Sequence, residues 1–252
     1  MMSAPAWLTA FPIAHRGLHN PALGIVENSL SAARAAVARG YAIECDVQLS
    51  SDGVVMVFHD ETLDRLTDQT GLFRSKTSSA LSQIELLKSG DQIPTFDAFL
   101  QEINGQVPII CEIKSNFDGN PSLTDKTIQR VQKYHGPLAI KSFDPEIVAT
   151  VSRLAPERPC GFIGESSYDD AEWNFLTSDQ KRTMASLAHF EQARPDFLSW
   201  YIKDVEQGPP QLARKALGMP LMTWTVRSKE DHGKGNRFAD QIVFEGFFPE
   251  IT

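Results

Sequence analysis

Short apolar runs alternate with amphipathic stretches along almost the whole chain. The apolar runs are short and rich in β-branched and aromatic residues, which is typical of buried strands. The predicted strands span residues 11–15, 42–49, 54–59, 107–113, 138–142, 160–163, 197–200, 222–226 and 241–244. Strands that alternate with helices predict βαβ units and a mostly parallel sheet.

Many of the segments between these strands have helical spacing. Residues 29–39 are rich in alanine, with Asn28 or Ser29 as the candidate N-cap and Gly40 as the stop. Further helices are predicted over residues 96–103, 124–134, 145–154, 178–189 and 208–216. Eight or nine strands in 252 residues favour an α/β fold closed into a (β/α)₈ TIM-type barrel.

Two segments depart from the alternation. No helix fits between residues 42–49 and 54–59, so these strands predict an antiparallel hairpin. Residues 60–92 are polar and show little periodicity before Leu81, which predicts a small insertion or lid after the third strand. No repeat, low-complexity tract or linker interrupts the chain, and we therefore expect residues 1–252 to form one domain.

The hairpin turn predicts which side chains meet. Asp52-Gly53 favours a two-residue turn, and in that register facing positions sum to 105, so Asp46 faces His59. Glu44 lies on the same face as Asp46 because strand side chains alternate. Directly opposed residues have Cβ atoms about 4.5–5.5 Å apart. We therefore expect His59 beside two carboxylates.

These polar residues predict a cation site. Adjacent carboxylates such as Glu44 and Asp46 repel each other unless a cation lies between them, and oxygen ligands suit Mg²⁺ or Ca²⁺. Glu112 and Lys114 share a face of another strand, and His15 ends the first strand, so all fall near the barrel rim that carries active sites. Any one of them alone is more simply explained as structural, and only their coincidence favours a site. The Glu27-Asn28 pair fits a helix start and a functional role equally well.

The composition of the chain limits the possible partners and the cellular compartment. A net charge of −8 argues against a nucleic-acid partner but permits a small phosphate-bearing substrate beside a bound cation. Cys45, Cys111 and Cys160 form no C-x-x-C pair, which favours a reducing compartment. Residues 1–10 lack a basic signal-like start, and no apolar run reaches about 18 residues, so we expect a cytoplasmic protein with no transmembrane segment. The oligomeric state stays open.

An ordered set of short motifs resembles the signature of glycerophosphodiester phosphodiesterases. Its first-half members are Ala14-His15-Arg16-Gly17, Glu27-Asn28-Ser29, Glu44-Cys45-Asp46-Val47, Asp52-Gly53, His59-Asp60 and Glu112-Ile113-Lys114. Later segments also resemble landmarks of this family: Ile93-Pro94-Thr95-Phe96, Ser142-Phe143-Asp144 and Thr223-Trp224-Thr225-Val226. No single motif is specific, and the order of the set carries the resemblance.

The resemblance implies a TIM-type barrel that hydrolyses deacylated phospholipids to glycerol 3-phosphate and an alcohol. It implies one divalent metal ion, Mg²⁺ or Ca²⁺, with these roles: Glu44, Asp46 and Glu112 as metal ligands, His15 and His59 as the acid/base pair, and Arg16 and Lys114 near the phosphate. Trp224 and Phe143 are candidates for packing on the glycerol or a quaternary ammonium head group, and a core role explains Phe143 equally well.

Some alternatives stay open at this point. The last strand of family members usually ends in a Thr/Ser-Asp-type pair, whereas this chain has Phe244 and Glu245 there. This predicts a more apolar rim and leaves the head group of the substrate open. A phospholipase D-like enzyme acting on intact lipids is one alternative, and a non-catalytic phosphodiester-binding barrel is another. The sequence leaves open which histidine is the base. It also leaves open whether water or the glycerol 2-hydroxyl attacks.

Overall fold

A closed parallel barrel forms the centre of the computed structural model, which describes residues 4–87 and 89–250. The strands are β1 (Ile13–Ala14), β2 (Ala42–Leu49), β3 (Val55–Val57), β4 (Ile109–Ile113), β5 (Leu138–Ser142), β6 (Cys160–Gly164), β7 (Phe197–Tyr201), β8 (Leu221–Val226) and β9 (Gln241–Phe244). All except β3 are parallel to their neighbours, and β1 pairs with both β2 and β9, which closes the ring. The predicted TIM-type barrel is confirmed.

Helices connect the strands along the outside of the barrel. They are α1 (Leu30–Arg39), α2 (Ser78–Leu81), α3 (Phe96–Ile103), α4 (Ser122–Val131), α5 (Pro145–Leu154), α6 (Ser178–Ala185), α7 (Phe190–Ala193), α8 (Gly208–Leu217) and α9 (Lys229–Phe238). Local sequence sets their ends: the Ser29 hydroxyl accepts a hydrogen bond from the amide of Ala32, and Gly40 ends α1 with a left-handed φ of 71°. None of the helices in the described residues is long and apolar enough to cross a membrane.

One helix prediction was wrong, and one helix was missed. Residues 178–189 were expected to form one helix, but α6 ends at Ala185 and a separate short helix, α7, begins at Phe190. Helix α9 was missed, because Lys-Glu-Asp-His-Gly-Lys-Gly-Asn-Arg-Phe has two glycines and no apolar stripe. Tertiary packing stabilises it, since Gly235 lies so close to Ile242 that an added Cβ would meet its side chain at 2.7 Å.

The antiparallel β2–β3 hairpin is confirmed, but its predicted register was wrong by one residue. Val47 faces Val57 and Leu49 faces Val55, so facing positions sum to 104. The loop has three residues rather than two, because Gly53 takes the left-handed conformation alone, with φ 75°, and the amide of Ser50 donates to the carbonyl of Val54.

The shifted register changes the partner of Asp46. The amide of Phe58, not that of His59, donates to the Asp46 carbonyl at 3.0 Å. A shift of one residue reverses the face to which a strand side chain points. However, β3 ends at Val57, so the alternation of the strand does not determine the direction of His59.

The barrel interior is apolar at one end and polar at the other. Near the amino ends of the strands, buried side chains fill the centre: Ile13, Ala42, Ile110, Ala139, Phe197, Met222 and Val243. Two residues further along each strand, on the same face, lie His15, Glu44, Glu112, Lys141, Ser199, Trp224 and Glu245. The interior is therefore a packed core at its amino end and a polar site at its carboxyl end.

The segment that follows β3 has a small core of its own. Its apolar side chains pack with Val26 and with the outer side of the hairpin, and Phe58 stacks on Phe73 with ring centroids 4.9 Å apart. Leu63, Leu66, Leu81 and other buried residues complete this cluster. Residues 60–92 thus pack beside the hairpin that carries His59.

Close packing near the amino ends of the barrel strands gives a stability prediction. A Cβ on Gly161 would meet the buried Phe197 ring at 2.3 Å, so we expect Gly161→Ala to lower the free energy of unfolding by about 1–3 kcal/mol. Gly233→Ala is the control, because this α9 position has no neighbour within 4 Å, and the change should stabilise by about 0.5–1 kcal/mol. Urea unfolding measures both. Equal effects of the two changes would contradict the packing described for Gly161.

Candidate active site

Three carboxylates meet at the carboxyl end of the barrel. Glu44 and Asp46 project from one face of β2, and Glu112 is the direct partner of Asp46 on β4. One oxygen from each lies within 4.8 Å of the others, and all three residues are at most 6% exposed. Burying three negative charges this close together is costly unless positive charge accompanies them.

Three cationic side chains face these carboxylates. Lys114 Nζ lies 2.8 Å from Asp46 Oδ1 and also contacts Glu112. Arg16 Nε is 3.4 Å from Asp46 Oδ2. Lys141 Nζ is 3.2 Å from Glu44 Oε1 and 3.7 Å from Glu112 Oε2. The predicted grouping of Arg16 and Lys114 with the carboxylates is present, and Lys141 joins it.

The pKa shifts follow from this arrangement. Burial raises the pKa of Asp46, but the charges of Lys114, His59 and Arg16 outweigh burial and hold that pKa well below its usual range. Burial also opposes ionisation of Glu112, and chiefly Lys114 lowers its pKa. For Lys114, burial lowers the pKa, while Asp46 and Glu112 raise it above the ordinary lysine value. These groups therefore stay charged at neutral pH.

The carboxylates also suit a divalent ion. They offer hard oxygen ligands from three side chains, which is the chemistry that Mg²⁺ and Ca²⁺ prefer. Among the described residues, no group donates a hydrogen bond to Glu44 Oε1, although this atom is buried. A buried carboxylate oxygen without a donor is available to a cation.

His15 directly follows β1, and Glu245 contacts the Nδ1 side of its ring. Its Nδ1 is 2.7 Å from Glu245 Oε2, and its Nε2 is 4.0 Å from Glu44 Oε2. Arg227 Nε holds the other oxygen of Glu245 at 2.5 Å. Burial raises the pKa of Glu245, but hydrogen bonds from His15, His19 and Arg227 outweigh burial and lower it. Glu245 thus presents the Nε2 atom of His15 toward the carboxylates.

His59 is brought to the site despite the shifted register. The amide of its chain neighbour Phe58 donates to the Asp46 carbonyl at 3.0 Å, which places the backbone of His59 beside Asp46. Its Nδ1 lies 2.7 Å from Asp60 Oδ1. Asp60 in turn accepts two hydrogen bonds from Arg65, at 2.6 and 2.8 Å. The chain after β3, rather than the pairing within the hairpin, places this histidine.

Arg65 links both sides of the site. Besides Asp60, it donates two hydrogen bonds to Glu27, at 2.8 and 2.7 Å, and Glu27 accepts a hydrogen bond from Arg16 at 2.6 Å. Burial raises the pKa of Glu27, but Arg65 and Arg16 outweigh burial and lower it to about 2. One guanidinium from the segment after β3 therefore supports the carboxylates that hold Arg16 and His59.

Asn28 forms hydrogen bonds with Asp46 and does not cap a helix. Ser29, not Asn28, caps α1, and the Asn28 amide donates to Asp46 Oδ2 at 2.8 Å. The Asn28 side-chain oxygen accepts from the Asp46 backbone amide, while its own backbone has a left-handed φ of 57°. Glu27 and Asn28 therefore contact the candidate site residues Arg16 and Asp46, and Asn28 does not cap α1.

Trp224 lies in an aromatic group rather than among the charges. Its Nε1 donates to the carbonyl of Ser199, and its ring lies 5.5 Å from that of Phe143 and 5.1 Å from that of Tyr201. Phe143 also packs on Trp173 at 4.9 Å. These rings form an aromatic wall (Phe143, Trp173, Tyr201 and Trp224) beside the carboxyl ends of β5–β8.

The structure adds residues that the sequence analysis missed and corrects one expectation. Lys141, Arg65 and the role of Glu245 were not foreseen, although Lys141 and Glu245 each lie two residues after an interior apolar position. That alternation was the available signal. Phe244 does not make the rim apolar: it is 1% exposed and packs on Tyr41.

Comparison with known proteins gives one consistent result. The model of the "Glycerophosphoryl diester phosphodiesterase family" matches residues 15–244. A glycerophosphodiester phosphodiesterase of Caldanaerobacter subterraneus subsp. tengcongensis is 28% identical over 229 residues, covering 87% of this chain and 86% of that protein.

Solved structures share the fold. An Oleispira antarctica phosphodiesterase, solved in complex with the product sn-glycerol-3-phosphate, has a TM-score of 0.74 at 23% identity, and 93% of each chain is covered. A Thermotoga maritima glycerophosphodiester phosphodiesterase has a TM-score of 0.69 at 24% identity, covering 93% of this chain and 94% of that one.

The lowered pKa of Glu27 predicts a pH-dependent effect on stability. A depressed carboxyl pKa stabilises the fold above the unfolded value near 4.5, and this contribution is lost as the pH falls toward 2. We expect Glu27→Gln to lower the free energy of unfolding by about 2 kcal/mol at pH 7, with the difference from wild type shrinking below pH 4.5.

Urea unfolding at pH 7, 5 and 3 measures this difference. Glu61→Gln is the control, because Glu61 is an exposed glutamate near the same network, and its replacement should leave stability nearly unchanged. A Glu27→Gln deficit of the same size at pH 3 and pH 7 would contradict the role of the Glu27 charge.

Proposed function

This chain belongs to the glycerophosphoryl diester phosphodiesterase family, a family of phosphoric diester hydrolases, and on that basis we propose that it hydrolyses glycerophosphodiesters to glycerol 3-phosphate and an alcohol. We propose that the reaction depends on a divalent metal ion. The observation that carries this proposal is the buried group of Glu44, Asp46 and Glu112, together with His15 directly after β1 and His59 shortly after β3.

We propose that these three carboxylates hold one Mg²⁺ or Ca²⁺ ion. The geometry of their oxygens and the unbonded Glu44 Oε1 support this assignment. When bound, such an ion supplies positive charge that polarises a phosphoryl oxygen. The ligand carboxylates come from the interior faces of two adjacent strands, β2 and β4, which keeps them in place without loop ordering.

Arg16 and Lys114 are proposed to bind the phosphodiester. Their side chains are 16% and 25% exposed, so both remain accessible from the mouth of the barrel while paired with carboxylates. A phosphodiester carries one negative charge, and more charge develops on its oxygens during displacement. Two fixed cations oriented by Glu27, Asp46 and Glu112 stabilise that charge without having to reorganise.

His15 and His59 are proposed as the acid/base pair. His15 follows β1 and His59 follows β3, and both strands pair with the edge of β2 opposite β4, so both histidines enter the site from that edge. Each uses Nδ1 to contact a carboxylate, Glu245 or Asp60, which leaves Nε2 for the substrate. One histidine takes the proton of the attacking group, water or the glycerol 2-hydroxyl, as its oxygen bonds to phosphorus. The other protonates the departing alkoxide as its bond to phosphorus breaks. If the hydroxyl attacks, water then opens the cyclic phosphate to give glycerol 3-phosphate.

The aromatic wall is proposed to hold the organic part of the substrate. Trp224, Phe143 and Tyr201 present ring faces and edges beside the carboxyl end of the barrel, next to the charged half of the site. Such rings pack on a glycerol chain and attract a quaternary ammonium group. We therefore propose that the substrate is a small molecule and that the protein has no nucleic-acid partner.

The cysteines support a proposed cytoplasmic location. Cys45, Cys111 and Cys160 are all buried thiols without a disulfide partner in the described residues. Thiols of this kind persist in reducing compartments.

A metal and histidine assay tests the proposed reaction. We expect glycerol 3-phosphate release from a panel of glycerophosphodiesters with Mg²⁺ or Ca²⁺, and its loss in EDTA or in Glu44→Gln. His15→Ala and His59→Ala should each lower kcat by about 10²–10⁴-fold. His135→Ala is the matched control, because His135 is exposed and lies before β5, at the other end of the barrel. Undiminished turnover in EDTA would contradict metal dependence. A wild type that binds diesters but never hydrolyses them would favour a binding protein.

The contact between Glu245 and His15 predicts a positioning effect. We expect Glu245→Ala to lower kcat by about 10–100-fold with little change in KM, because the ring of His15 loses its orientation. Glu245→Gln keeps an acceptor and should lose less. In a double-mutant cycle, adding Glu245→Ala to His15→Ala should cost nothing further. Additive losses would show that Glu245 acts independently of His15.

A further inference from the structure

Lys141 differs from the other cations of the site in its burial. It lies on β5, two residues after the interior Ala139, and it is 2% exposed. Its Nζ is 3.2 Å from Glu44 Oε1 and 3.7 Å from Glu112 Oε2. Lys114, by contrast, is 25% exposed and contacts Asp46 and Glu112. Lys141 is therefore a buried ammonium group close to two of the three proposed metal ligands.

Glu44 has one carboxylate oxygen that accepts no hydrogen bond from the described residues. Its Oε2 accepts a hydrogen bond from the Arg16 amide at 3.0 Å, whereas its Oε1 accepts none from the described residues. The ammonium of Lys141 lies at ion-pair distance from that oxygen but does not make an aligned hydrogen bond. Lys141 thus offsets the charge of the Glu44 carboxylate, while Glu44 Oε1 keeps lone pairs that accept no hydrogen bond.

Three cations already face the three carboxylates without an ion. Three carboxylates face the cations of Arg16, Lys114 and Lys141, and a divalent ion adds two more positive charges to the same buried space. Like charges a few ångströms apart repel strongly where water is excluded. A divalent ion must therefore bind against the repulsion of the Lys141 ammonium. Because this side chain is buried, the ion cannot push the ammonium into bulk solvent without moving the side chain.

We propose that Lys141 is an internal counter-ion that competes with the divalent metal for Glu44 and Glu112. Its positive charge stabilises the folded site when no metal is bound. The same charge repels the metal, so the metal binds weakly and exchanges readily. This inference rests on the proposed function, because it takes the three carboxylates as the metal site. It assigns to Lys141 control of metal affinity, not a direct part in the chemistry.

Lys141→Met tests the competition, because methionine keeps a similar length and removes the charge. We expect calorimetry with CaCl₂ or MgCl₂ to show a Kd at least about tenfold lower than that of wild type. In EDTA the variant should melt at a lower temperature than wild type, and saturating Ca²⁺ should raise its Tm more than that of wild type. Lys141→Arg keeps the charge and should leave the Kd within about threefold of wild type.

Lys126→Met is the matched control. Lys126 is a half-buried lysine on α4 whose Nζ donates to the Gly53 carbonyl, so the same chemical change there removes no contact with the carboxylates. Its metal affinity should equal that of wild type. If Lys141→Met folds only with metal, the Ca²⁺ concentration at half-folding by circular dichroism replaces calorimetry. A value below the wild-type Kd supports the proposal.

Two results overturn the proposal. A Kd for Lys141→Met within threefold of wild type means that Lys141 does not compete, and weaker binding means that it supports the metal ligands instead. Both leave the proposed hydrolysis untouched, since that is decided by wild-type turnover with and without EDTA. If wild type and Lys141→Met both bind no divalent ion, the competition is overturned. Turnover of wild type in EDTA then tests the hydrolase proposal separately.

Discussion

Burying three carboxylates in one barrel mouth is the constraint on which the rest of this site depends. Glu44, Asp46 and Glu112 cannot lie this close together in the folded chain unless positive charge surrounds them. Arg16 and Lys114 provide part of that charge from the strand ends. The same concentration of negative charge on which the proposed metal site rests also makes the carboxylates dependent on the neighbouring lysines and arginine.

The elements around the barrel mouth hold these charges in position. The segment after β3 does not only cover the hairpin: its Arg65 carries hydrogen bonds to Glu27 and Asp60, and these carboxylates hold Arg16 and His59. Asn28 accepts a left-handed backbone conformation so that its amide can bond both the side chain and the backbone of Asp46. Local strain of this kind is typical of functional positions, where surrounding contacts offset it.

The barrel interior has an apolar packed core near the amino ends of the strands and the polar candidate site near their carboxyl ends. At the amino end of the strands, Phe197 packs so tightly over Gly161 that no side chain fits there. Two residues further along each strand the interior becomes polar, and the same alternation brings Lys141 and Glu245 inward beside the carboxylates and His15. A packed base below a charged mouth gives rigid strands from which the polar side chains project.

The sequence by itself determined the barrel, the hairpin and most of the residues that gather at the carboxyl end of the barrel. Apolar alternation, Asp-Gly turn chemistry and the placement of His15, Glu44 and Glu112 at strand ends are local signals. The tertiary structure decided the rest. The hairpin register depends on a one-residue difference in turn geometry, and α9 depends on packing that its own composition does not predict. Lys141 became visible only when parallel pairing aligned β5 with β4, because a buried cation is recognised by the charges that other strands bring to it.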